Sequence, residues 1–251
     1  MVGVRDTHVP VLAERVLELL APALDAPGAV YVDGTLGLGG HARMVLERCP
    51  QARLIGIDRD PHALDIAGDR LKDFGDRVTL VQAVYDELPE VLADAGSPRI
   101  QAILLDLGLS SLQIDHTERG FSYSKDSPLD MRMSPDDPET AADLVNTWSR
   151  PELARILRVY GEERFADRIA RRIVDERDRE PFTTSARLVE TITAAIPAAT
   201  RMTGGHPAKR SFQALRIAVN AELDALSGVM PAAIAALAME GRIAVLAYHS
   251  L

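Results

Sequence analysis

Cysteine is almost missing from this 251-residue chain: Cys49 stands alone, so no intrachain disulfide and no multi-cysteine zinc or iron–sulfur site can form. A reducing, cytoplasmic setting is the expectation. Long hydrophobic runs are missing too, since no stretch approaches the roughly 20 uncharged apolar residues that span a bilayer, and Met1 to Asp6 carries neither the basic start nor the apolar stretch of an export signal. The expected protein is soluble, unexported and without a membrane partner. Positive charge is in deficit, with 28 Lys+Arg against 37 Asp+Glu and a formal charge of −9. That excludes a uniformly basic surface that grips nucleic acid nonspecifically, so any such partner must meet a local patch. His8, His62, His116 and His249 fall at no metal-ligand spacing, and no metal is expected. What remains is 47% hydrophobic and 26% charged, the balance of a globular protein with ample core, either one large domain or a domain carrying a smaller second one.

Apolar runs of strand length recur between helical patterns: Ala29 to Val32, Arg53 to Ile57, Val78 to Val81, Ile100 to Leu105 and a late Ile243 to Ala247. Helix-length segments fall at about 41–49, 61–72 and 86–95. Strand alternating with helix predicts an α/β protein with a parallel sheet covered on both faces. The rhythm stops after the fourth strand, leaving a mostly helical stretch with helices near 140–146, 150–159, 162–179, 184–195 and 208–226. The domain reading is a Rossmann-like core of 1–111 plus 221–251 and an inserted helical domain of 112–220. The alanine-rich Ala232 to Ala238 is expected to be an apolar helix beside the sheet.

After the first strand, Asp33-Gly34-Thr35-Leu36-Gly37-Leu38-Gly39-Gly40-His41 leads straight into a helix. Glycines suit a turn that needs positive φ and a backbone that approaches a ligand closely. Asp58 ends the second strand about twenty residues on, where a carboxylate can accept hydrogen bonds from the two ribose hydroxyls of an adenosine. The competing role for Asp58 is a helix N-cap, although Asp60 before Pro61 caps well on its own. Both NAD and S-adenosylmethionine fit this layout, and Gly37 to Ala42 even matches G-x-G-x-x-A. Charge separates them. Asp33, Asp58 and Asp106 gather carboxylates at the strand ends, which would repel a pyrophosphate and attract a sulfonium with an ammonium. Tyr85, after the third strand, is either a flat ring for an adenine face or a core tyrosine.

Six motifs in order carry a family resemblance: Asp33 to His41, Leu105 to Ser111, Arg119 to Tyr123, Pro128 to Met133, Tyr160 to Phe165 and His206 to Ile217. Together they resemble the RsmH (MraW) family of S-adenosylmethionine-dependent methyltransferases, which act on the exocyclic N4 of a cytidine in the decoding region of 16S ribosomal RNA. The resemblance runs from His8 to Leu251. It implies a class I methyltransferase core, Gly39, Gly40 and His41 on the cofactor, Asp58 on its ribose, Tyr85 along the adenine, and Asp106 and Gln113 completing the pocket. It also implies the small ribosomal subunit or its RNA as partner and leaves a homodimer open. Relatives carry Pro-Gly-Gly where Ala238-Met239-Glu240-Gly241-Arg242 stands here, expected as a changed turn before the fifth strand. The family also continues past His249-Ser250-Leu251, so its last strands are expected to be missing from the sequence given.

Methyl transfer from a sulfonium carbon is an in-line displacement, in which an enzyme chiefly positions the amine lone pair. A cytosine amine is a poor nucleophile, and acceptors beside it can draw its N–H bonds and later take the proton. Asp106, with the backbone of Leu107 and Gly108, is the catalytic candidate, its alternative being a role toward the cofactor. For RNA, no acid occurs from Thr191 to Ala221, while Arg201, Lys209, Arg210 and Arg216 all fall there with His206 beside Pro207. Lys209, Arg210 and Arg216 are the substrate-binding candidates. Phe212 is a base-stacking candidate or a core residue, and the Arg164, Arg168, Arg171, Arg172 face reads as a salt-bridged surface through Asp175 and Glu176. Cys49 reads as packing. A ribosome-assembly binding module without turnover and an NAD-linked oxidoreductase stand as alternatives.

Overall fold

The computed structural model of the chain describes residues 10–110, 113, 116–201 and 205–248. The motif residues His8, Val9, Ser111, Leu112, His249, Ser250 and Leu251, and the side chain of Arg201, lie outside the described residues. Its strands are β1 (Val30–Asp33), β2 (Arg53–Asp58), β3 (Val78–Gln82), β4 (Ile100–Asp106) and β5 (Leu237–Leu246). Its helices are α1 (Ala13–Leu20), α2 (Gly40–Arg48), α3 (Pro61–Leu71), α4 (Leu88–Asp94), α5 (Ala141–Thr147), α6 (Arg150–Val159), α7 (Ala166–Arg177), α8 (Ser185–Ala195), the short α9 (Ala198–Arg201), α10 (Lys209–Val219) and α11 (Glu222–Ala236). Internal contacts divide the chain into two units, Met1–Ser110 with Leu223–Leu251 and Ser111–Glu222, over their described residues.

In the first unit the strands form one parallel sheet in the order β3-β2-β1-β4-β5. This is the α/β architecture expected from the alternation of strands and helices. Side chains alternate across a strand with a period of two, so each strand feeds both faces. Tyr31, Leu54, Ala102, Leu104 and Ala244 pack on one face with Val16 and Leu20 of α1, Val45 and Leu46 of α2 and Leu71 of α3, and buried Cys49 joins this layer. Val32, Ile55, Ile57, Ile103 and Leu105 pack on the other with Leu88, Val91 and Leu92 of α4 and Val229 and Ala233 of α11. The central strands β1, β2 and β4 are buried on both faces over most of their length, which is why they read as nearly unbroken apolar runs. Helix α3 starts where Asp60 accepts the N–H of His62 ahead of Pro61.

Two expectations change in this unit. β5 begins at Leu237, so Ala238 belongs to a strand and the apolar helix stops at Ala236. Pairing with β4 overrides alanine's helical preference. The Ala238 to Arg242 segment is therefore no turn before the strand but an irregularity inside it: partners step from Ile100↔Leu237 to Ala102↔Arg242, with Glu240 at φ 64°. Helix α1 went unread, although Ala13, Val16 and Leu20 repeat at helical spacing and are all buried.

The second unit is helical. Capping boxes open α5, where Thr140 and Asp143 exchange hydrogen bonds, and α6, where Ser149 and Glu152 do the same. The expected 162–179 helix starts only at Ala166, because Gly161 sits where a Cβ would lie 2.5 Å from the Arg210 carbonyl and Glu162 adopts φ 48°. The Tyr160 to Phe165 motif is thus a close-approach device for α10. The expected 208–226 helix breaks at Asn220, whose side chain accepts the N–H of Met133 at 2.7 Å and donates to the carbonyls of Met131 and Arg216, both at 2.8 Å. Ala221 then turns left-handed at φ 48°. Arg132 and Asp130 pair through two parallel hydrogen bonds of 2.9 and 2.8 Å, so much of Pro128 to Met133 is structural.

Candidate active site

β2 leaves one side of β1 and β4 the other, so the sheet order reverses at the carboxyl end of β1, where open α/β sheets bind ligands. The glycine loop starts there. Gly34 donates its N–H to the Leu104 carbonyl and Leu36 to that of Ile57, each at 2.9 Å, which stitches the loop across β4 and β2. A Cβ at Gly34 would fall 2.6 Å from Leu105 Cδ2, and Gly39 turns at φ 73° into the first turn of α2. At these two positions glycine is required, by close approach at Gly34 and by backbone sign at Gly39.

Three carboxylates end three strands around this loop. Asp58 accepts the Gly37 N–H at 2.7 Å on one oxygen and the Asp60 N–H at 2.9 Å on the other. It is not an N-cap, since Asp60 caps α3, and it holds the glycine loop instead. Asp33 is buried, accepting from the Tyr31 hydroxyl at 3.0 Å and the Thr35 N–H at 3.4 Å. Asp106 accepts the Tyr248 hydroxyl at 3.0 Å on Oδ1, has His41 Nδ1 3.8 Å from Oδ2, and donates its own N–H to Thr35 Oγ1 at 2.6 Å. His41 Nε2 lies 3.1 Å from the Val11 carbonyl, which can only accept, so this nitrogen carries the proton.

Burial pushes all three carboxyls upward. For Asp33 the rise reaches about 7, with the charges of Asp106 and Asp58 adding to desolvation and the bonds from Tyr31 and Thr35 opposing it. Asp58 and Asp106 rise for the same first cause, opposed by backbone donors at Asp58 and by Tyr248 and His41 at Asp106. Tyr248 in turn is pushed up to about 12 by burial and the Asp106 charge. His41 beside Asp106 and Arg59 near Asp58 offset this burial only in part, and a cationic ligand would add positive charge. The donor set suits a sulfonium and an ammonium, not a pyrophosphate.

The structure gathers Gly39, Gly40, His41, Asp58 and Asp106 around one loop. Tyr85 joins them, half-buried, with its Cβ 3.3 Å from where a Gly34 Cβ would stand, and it also packs on the core. Gln113 falls in the helical unit and is buried. Lys209 and Arg210 are exposed at the start of α10, with an Arg210 amino group donating to the Glu162 carbonyl at 2.9 Å. Arg216 is a correction: its guanidinium meets the Glu222 carboxylate through two bonds of 2.7 and 3.0 Å, both side chains being largely buried. It is a structural cation, because the acid-free stretch ends one residue short of its partner. Phe212 is a core residue, 3% exposed. On α7, Arg172 pairs with Glu176 at 3.7 Å, in keeping with a salt-bridged face.

Thr35, Tyr31 and Tyr248 escaped the sequence reading. Tyr31 and Asp33 sit two apart on one strand and so share a face, a legible signal. Tyr248 directly precedes the His249 motif, but its approach to Asp106 depends on β5 lying beside β4, which no local pattern announces.

A parallel sheet with a carboxylate-ringed glycine loop at its switch point defines a nucleoside-cofactor enzyme core of the Rossmann-like kind. Residues 5–251 match the MraW methylase family, and the chain belongs to that family. It is a methyltransferase with S-adenosylmethionine as methyl donor. It is 58% identical to the ribosomal RNA small subunit methyltransferase H of Streptomyces avermitilis, over 98% of this chain and 78% of that one. It is 61% identical to the protein of the same name from Mycolicibacterium smegmatis, over 97% and 67% respectively. A solved rRNA methylase structure from Streptococcus thermophilus aligns with a TM-score of 0.34 at 18% identity, over 48% of this chain and 70% of that one. Among the described residues no single helix is long and apolar enough to cross a membrane.

Proposed function

We propose that this methyltransferase acts on small-subunit ribosomal RNA, and specifically on the exocyclic N4 of a cytidine in the decoding region of 16S RNA. The observation that carries this reading is the identity of about 60% to proteins named for small-subunit ribosomal RNA methylation, which extends over nearly the whole chain. The N4 position and the decoding region come from the motif resemblance. S-adenosylmethionine, when bound, supplies an electrophilic methyl carbon.

The chain's own residues do the rest. Asp58 holds the glycine loop through Gly37 and keeps lone pairs for the ribose hydroxyls. Gly39, Gly40 and His41 form the wall of the loop, and Tyr85 flanks the adenine. Gln113 is assigned to the cofactor on the resemblance alone. Asp106, oriented by Tyr248 and Thr35, accepts from the cytosine amine, and the Leu107 and Gly108 backbone lies beside it. A carboxyl held above its usual range by burial is a better proton acceptor than an exposed one. Lys209 and Arg210 contact phosphates.

The test is incubation with labelled S-adenosylmethionine and unmethylated small ribosomal subunits, digestion to nucleosides and mass spectrometry. N4-methylcytidine is expected with the wild type and not with Asp106→Ala. Binding to subunits without any methyl transfer would favour the assembly-module alternative, and NAD binding in preference to S-adenosylmethionine would favour the oxidoreductase.

A further inference from the structure

A column of three rings rises from the core of the helical unit to its surface. Phe212 is buried at the base, its ring edge-on to Tyr123 at 6.0 Å and 83°. Tyr123 is half-buried and stacks on the His206 imidazole at 4.7 Å and 25°. His206 is exposed. Its ring is held in place: Nδ1 accepts the Ala208 N–H at 3.2 Å, and the His206 carbonyl accepts the Lys209 N–H at 3.0 Å. The same turn therefore carries a fixed aromatic plane and, three and four residues on, the exposed cations Lys209 and Arg210. No acid lies between Thr191 and Ala221.

We infer that His206, backed by Tyr123, is a stacking platform for an unpaired base of the RNA substrate, with Lys209 and Arg210 receiving the adjoining phosphates. This deepens the RNA-methyltransferase reading and rests on it. Single-stranded RNA is bound by aromatic planes with flanking cations, because every base offers a π-face and every linkage a charge. A plane already stacked from beneath loses little freedom when a base settles on it, so binding is not spent on ordering the ring. Helical pairing hides base faces, so the platform selects unpaired segments over duplex.

The experiment is fluorescence anisotropy of a labelled single-stranded RNA oligonucleotide with the full chain, alongside thermal melting. His206→Ala is expected to weaken binding about 5- to 150-fold, the range for removing one base–aromatic stack, with the melting temperature lowered by no more than a few degrees, since the ring is exposed and loses only its Tyr123 stack and the Ala208 hydrogen bond. His206→Phe, which keeps a π-face, is expected to retain affinity within a few-fold, and His206→Gln to behave like the alanine variant. A duplex of the same sequence is expected to bind weakly to every form. Wild-type affinity in His206→Ala, or equal losses in the Phe and Ala variants, would overturn the platform. If the wild type still methylates small subunits in that case, the RNA-methyltransferase reading stands without it. If the wild type neither methylates subunits nor binds the RNA, both fall.

Discussion

The carboxyl edge of the sheet and the acid-free stretch of the helical unit hold charge in opposite ways. At the sheet edge, Asp33, Asp58 and Asp106 are drawn out of water, and each is pushed above its ordinary range by burial. From Thr191 to Ala221 there is no acid, and Lys209 and Arg210 stand in solvent. The first arrangement suits a cation that arrives desolvated. The second suits a polyanion met in water. A chain of net charge −9 carries both by placing the three buried acids at the strand ends of the first unit and the exposed Lys209 and Arg210 in an acid-free stretch of the second. The physics differs accordingly. Buried charges answer to pH and little to salt, whereas exposed charges are screened within about 10 Å at 0.1 M salt and answer to salt and little to pH.

The largest expected effect breaks the acidic side. Asp58→Ala removes the acceptor for the Gly37 N–H and the proposed ribose contact, two hydrogen bonds to a charged group. At about 1.5–3 kcal/mol each, their loss weakens S-adenosylmethionine binding roughly 100-fold or more by calorimetry. Affinity for single-stranded RNA is expected to stay within twofold. An equal fall in both would mean that the two ligands do not use separate charge sets.

A smaller effect tests pH. Asp33 has its folded pKa raised from 3.8 to about 7, so the folded state holds a proton that the unfolded chain has released. Its contribution to stability is therefore present at low pH and is lost as pH rises between those two values, the reverse of a salt-bridged aspartate. A cationic ligand favours the ionised form, so S-adenosylmethionine affinity is expected to rise about tenfold from pH 6 to pH 8, as the ionised fraction grows. Asp33→Asn should flatten that profile and should also be more stable than the wild type at pH 8. A profile equally steep in the variant would move the titration to another group.

Much of this was legible because it is local. The glycine run, the acids at strand ends and the parallel sheet follow from continuous apolar runs that alternate with helical patterns and from where turn residues must stand. The helix break at Asn220 was not, since its cause is a side chain reaching Met131 and Met133, nearly ninety residues away in sequence. Arg216 failed for a related reason: counting acids between 191 and 221 stopped just before Glu222, and a charge count says nothing of which neighbour a guanidinium meets. Tyr248 needed the partner of β5 to be known. Patterns of three to seven residues were readable, and contacts that close only when distant segments meet were not.

That failure supplies the finest comparison, between two cations seven residues apart. Arg216 is nearly buried against Glu222, and Lys209 is exposed. Removing one partner of a buried pair strands the other, so Arg216→Ala is expected to cost about 2–4 kcal/mol in chemical unfolding. Its salt dependence of RNA binding should match the wild type, since a cation already neutralised by a carboxylate releases no counterion. Lys209→Ala should do the opposite. It leaves stability within about 0.5 kcal/mol and lowers the slope of log affinity against log salt by about one. Were Arg216→Ala to lower that slope as well, the Glu222 pair would have to open on the RNA, and the helical unit would hold a reserve of positive charge that appears only when the substrate binds.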